Sequence, residues 1–455
     1  MSRLVAFVSW PSAPLTESLV REALAGLGLS DFIEPSLPES YVRLLQWSTY
    51  DCLDHDATRN NENVLSSMYT FRKALIRKHF LARCIHSYTT KHPQSLLKNA
   101  VPRTWDLEIS YADELDEMWS DELWDLGKEL DASSNWWILK PGMADRGMGI
   151  RLFNSKEALQ QIFEEFESDS DDEDPQPGDT SVMTSQLRHF VVQEYLSTPL
   201  LLDPRQVAVS ESSVKTSDDL RGHKFHLRAY CVASGALKLY LYVRVLALFS
   251  SAPYEAPTVK DIACGDGRID LIPHLTNTSL QTHNGEEGVR LLDELSGCRI
   301  LSYPYGAADG EESYFTAGDI VSIQRQMANV LAETFKAAVE TPVHFQPLPN
   351  AFELYGVDFL VSHAQSASVS EDARFEVKLL EINSEPAIEL TGPRLTWILE
   401  DLFSAIGKVC VRPFVGVSGN GTNEEDVKEV NWGVGDVRYH LRKCLDLQIR
   451  GSGGW

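Results

Sequence analysis

Two segments in the C-terminal half constrain the fold most, Phe352–Ser362 (FELYGVDFLVS) and Phe375–Pro386 (FEVKLLEINSEP). Each is long and apolar enough to be a buried strand, yet each carries acid inside its apolar run. Side chains alternate between the two faces of a strand, so Glu381 and Asn383, two apart, share a face. Asp358 falls in the middle of the other segment. A buried ionised carboxylate is costly unless it is paired or coordinates a cation. One such residue reads as a strand end meeting solvent. Three oxygen donors converging on neighbouring strands favour a hard-cation site, whose usual occupant is Mg2+ with nucleotide phosphates.

Two further motifs fit such a site. Lys140-Pro141 ends an apolar run (WWILK) and is followed by GMADRGMGI, Gly142–Ile150. A lysine there supplies a point charge, and the glycines let backbone N–H groups approach phosphate oxygens. The order is not that of a P-loop, and a Gly-rich turn alone is more often only a turn. In HKFHLRAYCV, His223–Val232, Lys224 and Arg228 lie four apart on one strand face. They suit a γ-phosphate and a carboxylate, or else an exposed charged edge.

The rest of the chain sets limits. It has 455 residues, 41 Lys+Arg against 66 Asp+Glu and a net charge of −25, with 43% hydrophobic residues. That length holds two or three domains. The acidity argues against direct nucleic-acid or anionic-membrane binding, which need a basic face. No apolar run is long enough to span a bilayer, and MSRLVAFVSWPSAPL reads as a first core strand rather than a signal. Seven cysteines without CxxC spacing argue against a disulfide framework or structural zinc. A soluble, cytoplasmic protein is the expectation.

The pattern alternates strand and helix. Leu4–Trp10 and Leu15–Leu24 open an α/β unit, and Leu65–Cys84 reads as one basic amphipathic helix. Asp113–Asp131 reads as an amphipathic helix with an acidic back. Glu164–Asp174, with eight acids in eleven residues, begins an insert over 164–180 expected to be solvated or disordered. Val191–Tyr195, Phe225–Val232 and Leu237–Phe249 read as strands, Ile320–Val339 as a helix, and everything after Val415 as a linker and short amphipathic tail.

Taken in order, RKALIRKHFL, WILKPGMADRGMGIRLF, VVQEYLSTPLLL, HKFHLRAYCV, HLTNTS, FELYGVDFLVS and LLEINSEP resemble the tubulin-tyrosine ligase family of the ATP-grasp superfamily, over residues 1 to about 410. Lys238–Tyr254 is most similar to its fungal branch, related to a processing-body-associated yeast protein. The resemblance implies an α/β (α+β) ATP-grasp fold, with mixed and antiparallel sheets clasping a nucleotide. It divides the chain into an N-terminal α/β domain (1–65), a central subdomain (66–190), a C-terminal subdomain with the Mg·ATP site (191–415) and a tail (416–455).

By the same resemblance the cofactors are ATP and Mg2+. Lys140, Arg146, Gly147, Gly149 and Lys224 meet the phosphates, Gln193, Glu194, Tyr195 and Leu196 form the adenine hinge, and Asn277 lies near the nucleotide. Asp358, Glu381 and Asn383 match the Mg2+ ligands, and Arg228 faces the γ-phosphate and the acyl transition state. Arg72, Lys73, Arg77 and Lys78 are candidate acceptor-binding residues. The implied activity joins a free amino acid, tyrosine by resemblance, to the C-terminal tail of a protein, tubulin by resemblance. The alternatives are an ATP-grasp interaction module of mRNA-decay factors in processing bodies and a ligase for another acceptor.

Three positions depart from the family pattern. His226 stands where the pattern K-F-D-I-R has Asp, and Leu248 where an Arg precedes SxPY, leaving Arg244 as a register-shifted catalytic candidate. Met148 replaces a frequently acidic residue in the phosphate loop.

Overall fold

In the computed structural model, residues 4–133, 135–142, 149–168, 188–208, 219–258, 269–276, 288–303, 312–364, 374–416 and 432–448 are described. The opening strand, β1 (Leu4–Ser9), pairs in parallel with β2 (Ile33–Glu34) and β3 (Arg43–Ser48), and β3 with β4 (Val64–Ser66), in the order β2-β1-β3-β4. Parallel neighbours need a crossover. The helix Pro14–Gly26 makes the one from β1, starting on a proline and burying Leu19, Val20, Ala23 and Leu24.

A second sheet is antiparallel. Its strands β5 (Thr104–Glu108), β6 (Trp137–Pro141), β7 (Arg151–Phe153) and β8 (His189–Glu194) lie in the order β5-β8-β6-β7. Leu115, Leu123, Leu126, Leu159 and Phe163 fill the core behind it.

The third sheet is the largest, built from β9 (Leu201–Leu202), β10 (His223–Ser234), β11 (Lys238–Tyr242), β12 (Leu246–Phe249), β13 (Val289–Leu291), β14 (Phe352–His363), β15 (Phe375–Ser384), β16 (Val437–Arg438) and β17 (Leu441–Asp446). β10 pairs with β14 along one edge and with β12 and then β11 along the other. Its odd residues Phe225, Leu227, Ala229 and Cys231 enter the main core, against Ile323, Met327, Leu331 and Phe335 of the helix Ala317–Val339. That helix starts at a reciprocal Thr316/Asp319 capping box, which satisfies two of its otherwise unpaired N–H groups. Tyr230, Val232, Leu246 and Leu248, on the opposite face, pack with the N-terminal sheet and the helix Thr396–Ile406. The one sheet face therefore offers polar residues at one end and a seat for the N-terminal unit at the other. Among the described residues, no helix is long and apolar enough to cross a membrane.

Several elements differ from the sequence reading. Leu65–Cys84 is not one helix: β4 ends at Ser66, short helical turns occupy Lys73–Ile76, and the helix Lys78–Lys91 begins after an extended Arg77. The backbone at Ser66, Phe71 and Ala74 is drawn instead to the 344–351 segment. Tertiary pairing overrides the helical period there. Asp113–Asp131 likewise breaks after Met118 and resumes at Trp124, because Leu115, Leu123, Leu126 and Leu130 all reach one core by way of a turn.

The acidic insert begins later than expected, since Glu164–Ser168 completes the helix Lys156–Ser168 and Phe163 and Phe166 are buried. Residues 169–180 lie outside the described residues. Leu237–Phe249 is two strands, interrupted at Val243–Val245. The chain after 416 does not simply trail away: β17 adds to β11 and buries Leu441, Cys444 and Leu445.

Candidate functional site

The register of three strands builds the centre of the site. Arg228 lies opposite Asp358, and Asp358 opposite Glu381, so the three side chains share one face. Asn383 follows on that face, opposite Gly356, where a Cβ would come 2.8 Å from Pro386 Cβ. Only glycine leaves room for that crossing. Asn383 Nδ2 lies 3.4 Å from Asp358 Oδ2 and 3.2 Å from Glu381 Oε1, so the three expected donors converge.

Cations surround this centre. Arg228 grips Asp358 with two prongs, Nε to Oδ1 and Nη2 to Oδ2 (2.9 Å). Burial raises the Asp358 pKa, but the Arg228 and His226 charges outweigh it and hold the carboxyl far below the usual range. Lys78 Nζ sits 3.2 Å from Glu381 Oε2. Burial pushes Glu381 up, and Lys78, opposed by Asp358 and helped by Lys140, brings it below its ordinary value.

Two lysines form no ion pair with a carboxylate among the described residues. Lys140, on β6 of the facing sheet, donates to Gln193 Oε1 (2.7 Å), and burial pulls its pKa to about 8 despite the pull of Glu381. Lys224 donates to Tyr195 OH (3.2 Å) and lies over the Tyr195 ring at 4.3 Å. Burial, together with the nearby Lys140, lowers it to about 7. With both protonated, Arg228, Lys78, Lys140 and Lys224 outnumber Asp358 and Glu381 by two charges among the described residues. A buried surplus of this kind is favourable only with an anion present. The donor set is two carboxylates and an amide oxygen, all hard ligands, and fits Mg2+ shared with phosphate oxygens. Among the described residues no group of three His, Cys, Asp or Glu could hold a metal ion by itself, so the remaining ligands must come from a phosphate substrate or water.

The root of the Gly-rich loop is tightly fitted at Gly142. The Gly142 N–H continues β6 by donating to His189 O (2.7 Å), and a Cβ there would lie 2.7 Å from His79 Nδ1. Gly149 has φ +69°, the left-handed region that suits glycine. Arg146, Gly147 and Met148 lie outside the described residues, as does Asn277. Gln193 is buried at the end of β8, Glu194 pairs with Arg103 (3.1 Å), and Tyr195 and Leu196 continue into the segment linking two sheets.

Other expected residues are placed apart. Arg244 lies over Trp397 at 4.6 Å, with Nε 3.6 Å from Asp401 Oδ2 and Nη2 3.2 Å from His440 Nε2. Those partners belong to the helix Thr396–Ile406 and the turn before β17, and the structure does not bring Arg244 to Arg228 and Asp358. Arg72 is only 7% exposed and is bound to Glu353, so it is no part of an open acceptor surface. Lys78 is turned to Glu381, leaving Lys73 exposed and Arg77 half-buried.

Sequence reasoning also missed participants. Tyr195 OH meets His274 Nδ1 at 2.8 Å, Lys224 lies 5.8 Å from the Tyr254 ring centre, and His226 Nδ1 meets Thr276 Oγ1. The HLT triplet at 274–276 was the signal for His274 and Thr276, and Tyr254 closes the Lys238–Tyr254 block.

Comparison with known proteins agrees with this geometry. Residues 58–416 match the tubulin-tyrosine ligase family. A probable tubulin–tyrosine ligase of Saccharomyces cerevisiae, PBY1, is 36% identical over 412 residues, 85% of this chain and 48% of that protein. The chain thus spans about half the length of that relative. A probable tubulin–tyrosine ligase of Schizosaccharomyces pombe is 35% identical over 388 residues, 81% of this chain and 83% of that protein. The crystal structure of the C-terminal domain of K. lactis Pby1, an ATP-grasp enzyme, superposes with a TM-score of 0.64 at 28% identity, covering 98% of this chain and all of that one. The fold is an ATP-grasp fold, and the chain belongs to the tubulin-tyrosine ligase family.

Proposed function

We propose that the chain is a Mg·ATP-dependent carboxylate–amine ligase that adds an amino acid, tyrosine foremost, to the C-terminal tail of a protein. The observation that carries this reading is a pair of lysines, Lys224 buried and Lys140 half-buried, that form no ion pair among the described residues, beside the converging Asp358, Glu381 and Asn383. Such a site is complementary to a polyphosphate and its metal.

In this reading an acceptor carboxylate attacks the γ-phosphorus, and the bond to the ADP oxygen breaks. The resulting acyl phosphate is then attacked by the amine, which loses a proton as phosphate leaves and the amide forms. Asp358, Glu381 and Asn383 would hold Mg2+, which would supply neutralisation of the charge on the phosphoryl group in transfer. Lys140 and Lys224 hold phosphate oxygens, each gaining a partner that the free protein withholds. Arg228 stays oriented by Asp358 and presents its remaining N–H groups to the transferring group. Preorganised donors of this kind are each worth on the order of 100-fold in rate or more.

Tubulin as acceptor follows from the family, and a strongly acidic tail requires a local basic surface. Lys73 and Arg77 are what remains of the expected one. Incorporation of labelled tyrosine into detyrosinated tubulin tests this acceptor, and its absence with Mg·ATP bound would exclude tubulin. A second reading has the chain serve as an interaction module in cytoplasmic mRNA-decay bodies. It is favoured by the K. lactis protein, described as interacting with the mRNA decapping enzyme Dcp2. Co-purification of decapping factors with a Glu381→Gln variant that no longer turns over separates this role from catalysis.

A further inference from the structure

Along β10 the side chains of Lys224, His226 and Arg228 follow one another on one face, about 7 Å apart. Lys224 and Arg228 have their parts in the phosphate site described above, and His226 between them has none. Its side chain is buried, only 4% exposed. Nδ1 meets Thr276 Oγ1, while Nε2 is enclosed and has no hydrogen-bond partner among the described residues. The atom it approaches is Asp358 Oδ1, at 3.5 Å, and Arg228 Nε already donates to that oxygen.

The surroundings decide which ring nitrogen holds the proton. An Nε2 lone pair would face the Asp358 carboxylate, acceptor against acceptor. With the Thr276 hydroxyl donating to Nδ1, the proton sits on Nε2. The imidazolium would carry the same Nε2–H, so this donor is present in either protonation state. A buried donor without an acceptor is costly, and it persists where a ligand brings the acceptor. Leu248 of β12, the direct cross-strand neighbour of His226 on the same face, offers no polar atom. The family pattern has an acid at 226 and an arginine at 248, so this chain lacks the donor on β12 and has one on β10 instead.

We propose that His226 Nε2–H donates to an oxygen of the terminal phosphoryl group of a bound nucleoside triphosphate, in place of the donor missing at Leu248, and that Thr276 is the positioning residue that fixes the ring. This rests on the nucleotide site of the ligase reading above. The row Lys224, His226, Arg228 leads to Asp358, so His226 stands beside the metal end of the site, where the last phosphate of the chain belongs. A diphosphate lacks that group and leaves the donor unused. His226 therefore sets the preference for triphosphate over diphosphate. An acid at 226, which only accepts, would repel the same oxygen.

The test is calorimetric titration of the full chain with Mg·ATP and with Mg·ADP, without amino acid or acceptor. In His226→Asn the amide replaces Nδ1 and leaves the Nε2 position empty; in His226→Gln the amide nitrogen reaches the Nε2 position. His226→Asn should weaken Mg·ATP by about 10- to 100-fold and Mg·ADP by less than about threefold. His226→Gln should hold both within about threefold of wild type. Thr276→Val should lower the preference for ATP over ADP, and lower it no further in the His226→Asn background. Retained Mg·ADP affinity also shows that each variant folds. Unchanged Mg·ATP affinity in His226→Asn, equal weakening of both nucleotides there, or no recovery in His226→Gln would each overturn the proposal, and an unchanged preference in Thr276→Val would overturn the part given to Thr276. A wild type that binds neither nucleotide would defeat the ligase reading itself and this inference with it.

Discussion

His226 on β10 lies directly opposite Leu248 on β12. Two of the three departures from the family pattern, Asp to His and Arg to Leu, therefore occupy a single cross-strand pair rather than two independent places. His226 Nε2 is 3.5 Å from Asp358 Oδ1, and Leu248 is buried in the core shared with the N-terminal sheet. Direct cross-strand neighbours interact most strongly within a sheet.

Restoring one member alone should therefore fail. In His226→Asp a second carboxylate competes with Asp358 for Arg228, and the expected loss is about 3 kcal/mol of folding stability. Adding Leu248→Arg should recover at least half of it, measured by urea denaturation. Strictly additive losses would show that the pair is not coupled.

The unpaired lysines should trade stability for binding. Lys140→Met removes a half-buried charge and Lys224→Met a buried one, so the nucleotide-free protein should melt no lower than wild type. Mg·ATP affinity should fall by roughly 10- to 100-fold, the worth of a hydrogen bond to a charged group. Differential scanning calorimetry and titration calorimetry on the same samples check both directions.

Binding should also take up protons. Lys224 titrates at about 7 and Lys140 at about 8 in the free protein, while a bound phosphate favours the ammonium form of each. At pH 8.5 both are largely neutral, so Mg·ATP binding draws protons from the buffer and affinity falls as pH rises through 7 to 8. For stability, the unfolded chain keeps a Lys224 proton up to its ordinary 10.5, so this group makes the free protein more stable as pH rises between about 7 and 10.5. Heats of binding in buffers of different ionisation enthalpy report the proton count; none taken up at pH 8.5 would place the lysines away from the phosphates.

Arg72 belongs to the architecture rather than to an acceptor surface. It lies 4.2 Å from the Tyr50 ring centre and pairs with Glu353, which is 1% exposed. Arg72→Met leaves that carboxylate buried without its cation and should cost about 3–5 kcal/mol. Lys73→Met, on the exposed neighbour, should change stability little and act on acceptor affinity alone. Thermal denaturation of the two variants separates the roles.

How much of this was legible in the sequence depends on the kind of signal. Asp358, Glu381 and Asn383 were readable because an acid inside an apolar strand has few explanations, and strand alternation fixes which residues share a face. Lys140 and Lys224 were readable as candidates, but that neither forms an ion pair among the described residues is a tertiary fact. Arg72 and Lys78 looked alike in a basic run. One is buried on Glu353 and the other faces Glu381, because the chain between β4 and the helix Lys78–Lys91 follows the 344–351 segment and not a helical period. Arg244 is four residues from Leu248 in sequence, yet the break at Val243–Val245 turns it toward Asp401. β17 was missed because its apolar residues, Leu441, Cys444 and Leu445, do not alternate strictly, and the ladder to β11 shifts register at Leu239/Tyr240.

The most direct test is ADP release by the full chain with Mg·ATP, L-tyrosine and a protein acceptor, compared with the Glu381→Gln variant. ADP should accumulate only when amino acid and acceptor are both present, and the variant should be slower by on the order of 100-fold or more. No ADP with any amino acid or acceptor while Mg·ATP is bound, or wild-type turnover by Glu381→Gln, would contradict a ligase centred on Asp358, Glu381 and Asn383.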